Sequence, residues 1–92
     1  MFDRELGSMR EGLARAIQRV GLVRFDAFDD MGGRLSFAAA LLDEDGSGLV
    51  LSSINGRHET RIYAKAIEHG QSRIQLSDEE VEAIKRALGV RV

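Results

Sequence analysis

The sequence predicts an α+β domain with an N-terminal helix, an antiparallel sheet of four to five strands in hairpin order, and a capped C-terminal helix. Three observations carry that expectation. Apolar residues step by four and three through residues 1–20; short alternating runs broken by Gly, Asn and Asp fill residues 21–76; and Ser77 with Glu80 opens a second helical pattern over 77–88. At 92 residues the chain fits one domain with a modest core, which association would help to stabilise.

In the first segment Phe2, Leu6, Met9, Leu13, Ala16 with Ile17, and Val20 form one stripe, with charges between them. The stepping is that of a coiled-coil seam, sustained for fewer than three heptads. The stripe therefore either packs on the chain's own sheet or also joins a partner helix. In the second case Leu6, Met9, Leu13 and Ile17 are the candidate oligomer interface. Gly21 fits a left-handed cap at the helix end.

Four main strands follow. Residues 22–28 alternate Val23, Phe25 and Ala27 with Leu22, Arg24, Asp26 and Phe28, and Asp29 to Gly33 supplies a turn. Residues 35–42 place Leu35, Phe37, Ala39 and Leu41 on one face and Ser36, Ala38, Ala40 and Leu42 on the other. Both faces can be buried, and the small-residue face allows close approach of a helix, which puts this strand near the sheet centre. After a turn over 43–48 comes a third strand at 49–54. Asn55-Gly56 then signals a two-residue hairpin of type I′. The fourth strand spans about 58–67, His69-Gly70 turns the chain, and 72–76 is a candidate fifth edge strand.

The last helix is the best defined. Ser77 and Glu80 make a capping box, Asp78 and Glu79 set negative charge at the positive helix end, and Leu76 with Val81 fits a hydrophobic staple. Val81, Ile84 and Leu88 form the expected buried stripe, Lys85 and Arg86 occupy the last turn, and Gly89 caps it.

Composition excludes several classes of function. Thirteen Lys and Arg against fifteen Asp and Glu give a net charge of −2, which weighs against nucleic acid as a partner. The absence of Cys removes disulfides, thiolate nucleophiles and cysteine-bound zinc. The longest uncharged stretch, residues 46–56, is far below the roughly 20 apolar residues that span a bilayer. Charges at Asp3, Arg4, Glu5, Arg10 and Glu11 break any apolar signal core, so a cytoplasmic protein is expected.

Candidate sites are few. Asp43, Asp45 and Ser47 imitate the start of a calcium loop, but its twelfth position is Ile54 and strands flank it, so a solvated hairpin is expected. Asp29-Asp30-Met31-Gly32-Gly33 could be taken for a phosphate cradle, yet two carboxylates precede the glycines and no helix follows. His58 and His69 each stand beside a turn, apart from other metal ligands. No nucleophile and base are paired, so no catalytic residue, metal or cofactor is expected. On the fourth strand Arg61, Tyr63 and Lys65 alternate onto one face, a basic and aromatic surface suited to a base or a phosphate. The competing expectation has Arg61 and Lys65 pairing with Asp26 and other carboxylates while Tyr63 covers the sheet.

The succession Val20-Gly21-Leu22-Val23-Arg24-Phe25-Asp26-Ala27-Phe28, Gly32-Gly33-Arg34-Leu35-Ser36-Phe37-Ala38, Leu41-Leu42-Asp43, Asn55-Gly56-Arg57, Tyr63-Ala64-Lys65 and Leu76-Ser77-Asp78-Glu79-Glu80 resembles the uncharacterised bacterial family known as domain of unknown function 4446. The resemblance covers roughly residues 13–88. It implies a small domain that in longer members follows a membrane helix and a helical connector on the cytoplasmic side, so residues 2–20 would correspond to that connector. Many members have Pro after Tyr-Ala-Lys, where this chain has Ala66. The family brings no established activity and no functional residue to transfer. The expectation is a non-enzymatic protein interaction or assembly module, partnered by its own copy or by another protein. The alternative is a nucleotide or single-stranded nucleic-acid binder on the Arg61, Tyr63 and Lys65 face.

Overall fold

The computed structural model describes residues 2–27 and 35–89, and in this span the order is helix, four strands, helix. The elements are α1 (Phe2–Arg15), β1 (Arg19–Phe25), β2 (Ser36–Leu42), β3 (Gly48–Asn55), β4 (Thr60–Ile67) and α2 (Asp78–Ala87). The strands form one antiparallel sheet in the order β1-β2-β3-β4, as the hairpin reading expects, with β2 inside it. The predicted Asp29–Gly33 turn and Phe28 lie outside the described residues.

The fold rests on the small-residue face of β2. Register brings Gly21 opposite Ala40 and Val23 opposite Ala38, with Val50 and Ser52 continuing the two rows on β3. Such a low surface lets α2 descend onto β1 and β2, where Ala83, Ile84 and Ala87 complete the buried core with Val23, Ala38, Ala40, Leu42, Val50 and Ile67. A Cβ on Gly21 would stand 2.0 Å from the Ala83 carbonyl oxygen and 2.6 Å from the Ala87 nitrogen. Gly21 therefore sits inside β1 under the helix backbone and does not cap α1, which corrects the sequence expectation.

That close approach also rolls α2. Its buried residues are Glu80, Ala83, Ile84 and Ala87, while Val81, expected in the buried stripe, is exposed and Leu88 is only half-buried against the core. The two residues whose backbone lies against Gly21, Ala83 and Ala87, are small, which lets the helix come this close. The capping box forms as expected: Ser77 Oγ accepts from the Glu80 N–H at 3.1 Å and Glu80 Oε1 accepts from the Ser77 N–H at 2.8 Å. Gly89 takes φ 79 just beyond the Leu88 cap.

Three more expectations are corrected. The first helix stops at Arg15, not at 20, and the chain is already in β1 at Arg19. The Gln18 N–H donates to the Leu42 carbonyl, so strand pairing takes over where the apolar stepping still reads as helical. Neither Asn55 nor Gly56 takes a positive φ. The β3–β4 link is instead a four-residue loop closed by the Gly56 N–H on the Glu59 carbonyl, with Asn55 tied to Leu35, Ser36 and Thr60. No fifth strand forms among the described residues; Ser72 closes a local turn with Ile74, and only a bridge between Glu68 and Gln71 extends β4.

The molecule is long, 61 × 26 × 25 Å, with a radius of gyration of 16.1 Å. A compact chain of this length would have about 12 Å. The excess comes from α1, which has no extended packing against the sheet or α2. Gly7 and Gly12 lie in this helix with open space around them. Gly7→Ala and Gly12→Ala should each favour the helix by about 1 kcal/mol, read as increased helical circular dichroism; an unchanged signal would mean that α1 is not helical in solution.

Candidate functional site

Alternation places every second residue of each strand on the face away from α2. Register aligns twelve of these residues into three full rows across the sheet, Val20, Leu41, Leu49 and Ala66; Leu22, Ala39, Leu51 and Ala64; Arg24, Phe37, Ser53 and Ile62; the polar pair Asn55 and Thr60 lies beyond them on β3 and β4. Ten of these twelve side chains are apolar, and nothing among the described residues covers them. Ile62 is 70% exposed, Val20 62% and Leu22 45%, while Phe37, Leu41, Leu49 and Leu51 are half-buried by their neighbours. The expected burial of both faces of β2 is thus corrected. Among the described residues only the Ser36, Ala38, Ala40 and Leu42 side is under a helix.

The α1 seam is the second apolar surface. Leu6, Met9, Leu13 and Ile17 are all exposed, Met9 and Leu13 by about two-thirds of their area (65% and 68%). Ile17 lies past the end of α1, in the link to β1. Packing of this helix on its own sheet, one of the two expectations, is not what the chain does.

Arg61, Tyr63 and Lys65 do share a face, and it is the α2 side of β4. There an open groove of about 520 Å³ runs between β4 and the start of α2, lined by Phe25, Ile54, Tyr63, Lys65 and Glu80. Both cations already hold carboxylates. Arg61 meets Glu59 at 3.0 Å, and Lys65 Nζ reaches Glu80 Oε1 at 2.8 Å and the Gln75 carbonyl at 3.0 Å. Glu80 is 1% exposed and also accepts from Ser52 Oγ at 2.7 Å. Burial alone would push this carboxyl up, but the hydrogen bonds from Lys65, the Ser77 N–H and Ser52, together with the Lys65 charge, outweigh it and hold Glu80 below its ordinary value near 4.5. A carboxylate held in this way fastens α2 to β3 and β4. The expected carboxylate partner for Lys65 is found, although it comes from α2 and not across the strands.

The calcium-like loop is a self-closed turn: Asp43 Oδ1 accepts from the Asp45 and Ser47 N–H groups at 2.9 and 3.0 Å, with Gly46 at φ 80. His69 takes φ 50 and its N–H donates to Ser47 Oγ, which joins two turns. Among the described residues no three His, Cys, Asp or Glu side chains gather as metal ligands, and no helix is long and apolar enough to cross a membrane.

The open sheet face is the feature that sequence reasoning missed. Its signal was present: Phe37, Ala39 and Leu41 on β2 and Leu49 and Leu51 on β3 need a cover, and one C-terminal helix can cover only one side of a sheet.

Fold and surfaces together define a class: a single-layer antiparallel sheet with one face under a helix and the other face mainly apolar and uncovered by any described element. The chain belongs to the family described as protein of unknown function (DUF4446), whose profile matches residues 1–88. Neither the curated proteins nor the solved structures gave a match to it.

Proposed function

We propose that this protein is a non-enzymatic interaction and assembly module that acts through its exposed apolar surfaces. The supporting observation is the open sheet face, three cross-strand rows with ten apolar side chains of twelve. Contiguous apolar patches of several hundred Å² on a folded domain mark association sites, since water contact with them is costly. A protein partner suits the patch better than a lipid surface, because interfacial membrane binders surround their apolar side with Lys and Arg. Among the described strand residues the face carries one cation, Arg24, on a chain of net charge −2.

The nucleotide alternative on β4 has weaker support, because Arg61 and Lys65 are each engaged by a carboxylate that a phosphate would have to displace.

The α1 seam belongs to the same association system. The double substitution Leu6→Glu and Leu13→Glu should abolish association in size exclusion with light scattering and leave the circular dichroism of the folded domain intact. Both positions are exposed, so loss of the fold is not expected. Wild-type-like association of the double variant would overturn the role of α1.

A further inference from the structure

We propose that two copies of this chain form a reciprocal dimer in which α1 of each copy lies along the open sheet face of the other. The inference rests on the interaction-module reading above and adds the partner and its mode of seating.

Among the described residues, each chain carries one apolar helix stripe and one apolar sheet face that no other element packs against. An isologous two-fold pair satisfies both at once, because helix meets face and face meets helix with nothing left over. The chain's own α1 is held away from its own face. Only Ala16, Ile17 and Gln18 separate it from β1. Its last turn is fixed at the end of the sheet: the Glu44 N–H donates to the Ala14 carbonyl, Gln18 Nε2 to the Leu13 carbonyl, and the Gln18 N–H to Leu42. The helix therefore prolongs the molecule, as the 61 Å axis records. A second copy related by a two-fold axis at that end would place its sheet beside the projecting helix.

Dimensions agree. Fourteen residues make a helix of about 21 Å, and strands of seven or eight residues run about 23 to 27 Å. Ala39, Ala64 and Ala66 leave low ground beside Leu22 and Leu51, where Leu6, Met9 and Leu13 can interdigitate. The charges on α1, three acidic and three basic, cancel, so seating it brings no net charge to the face.

Area favours this arrangement over pairing of the two seams. A helix of this length has a projected footprint of about 200 Å². Reciprocal seating commits two such footprints per protomer, about 400 Å² before side-chain relief is counted, whereas a two-heptad seam commits one. Stable interfaces bury about 800 Å² of accessible surface per partner. The reciprocal form reaches about half that scale from its helix footprints alone, twice what seam pairing commits.

The test uses the full chain and light scattering behind size exclusion over a tenfold concentration range. The wild type should run at twice 10.1 kDa. Leu13→Glu, which spoils the helix, and Leu22→Glu, which spoils the face, should each run as monomers with unchanged circular dichroism. Ile62→Glu is the second face variant should Leu22→Glu fail to fold. Mixing the helix variant with the face variant should restore a dimer, weaker than wild type by tenfold or more, because one intact helix-on-face contact reforms. If the face variants stay dimeric while Leu13→Glu is monomeric, helix pairs with helix: the reciprocal dimer is overturned and α1 assembly stands. Failure of the mixture to associate also overturns it. A dimeric Leu13→Glu, or a wild type that is monomeric throughout, overturns both the reciprocal dimer and assembly through α1.

Discussion

Gly21→Ala should cost the domain about 3 kcal/mol or more, seen as a large fall in the urea midpoint of unfolding. The added methyl would meet the Ala83 carbonyl oxygen at 2.0 Å and the Ala87 nitrogen at 2.6 Å. Both are backbone atoms of α2 and cannot swing aside as a side chain would. The helix must lift from β1, and lifting it loosens the buried cluster that Ala83 and Ala87 share with Ala38 and Ala40. Domains of this kind have about 5 to 15 kcal/mol of stability in total, so the loss is a large share of it. Gly12→Ala is the matched control: the same methyl on α1 meets nothing within 4 Å and should not lower the midpoint. A midpoint for Gly21→Ala equal to that of the wild type would refute the close approach of α2 to β1.

Gly21 also shows where sequence reasoning reached its limit. A glycine that follows an amphipathic stripe is chemically the same as a helix cap, and only the arrival of α2, sixty residues later in the chain, makes it a contact residue. The same kind of tertiary information rolled α2 so that Val81 left the core and Glu80 entered it. What is encoded locally was legible. The capping box, the Gly89 cap, the Asp43–Gly48 turn and the alternation on β2 depend on neighbours in sequence, and the structure has each of them. The four-strand hairpin order was legible because turn residues punctuate each run. The Asn55-Gly56 signal gave the right connection and the wrong turn, since Asn55 spends its side chain on Leu35 and Thr60. Of the candidate surfaces, the seam residues Leu6, Met9, Leu13 and Ile17 were legible as a stripe, but their exposure depends on where Gln18 and Glu44 hold the helix. The open face needed strand register, which no single run of residues contains.

Removal of the Glu80 carboxylate should be the other large effect. Glu80→Ala leaves Ser52 Oγ and the Ser77 N–H without their acceptor and leaves Lys65 with the Gln75 carbonyl alone. Breaking a fully buried charged pair from one side costs about 3 to 5 kcal/mol because the surviving group stays desolvated, and the 20% exposure of Lys65 puts this pair at the lower end. Replacement of both partners, Lys65→Met with Glu80→Leu, should cost less than Glu80→Ala, since no orphan charge is left behind. Acid titration gives an independent check on the carboxylate's charge. Glu80 titrates in the folded protein below its ordinary value near 4.5, so its contribution is fully present above that pH and is lost as the pH falls through the folded-state value. Glu80→Gln keeps the shape and cannot ionise, so its stability at neutral pH should be lower and its further loss on acidification smaller than in the wild type. Parallel stability curves for the two proteins from neutral pH into the acid range would show that the charge on Glu80 does not hold α2 to the sheet.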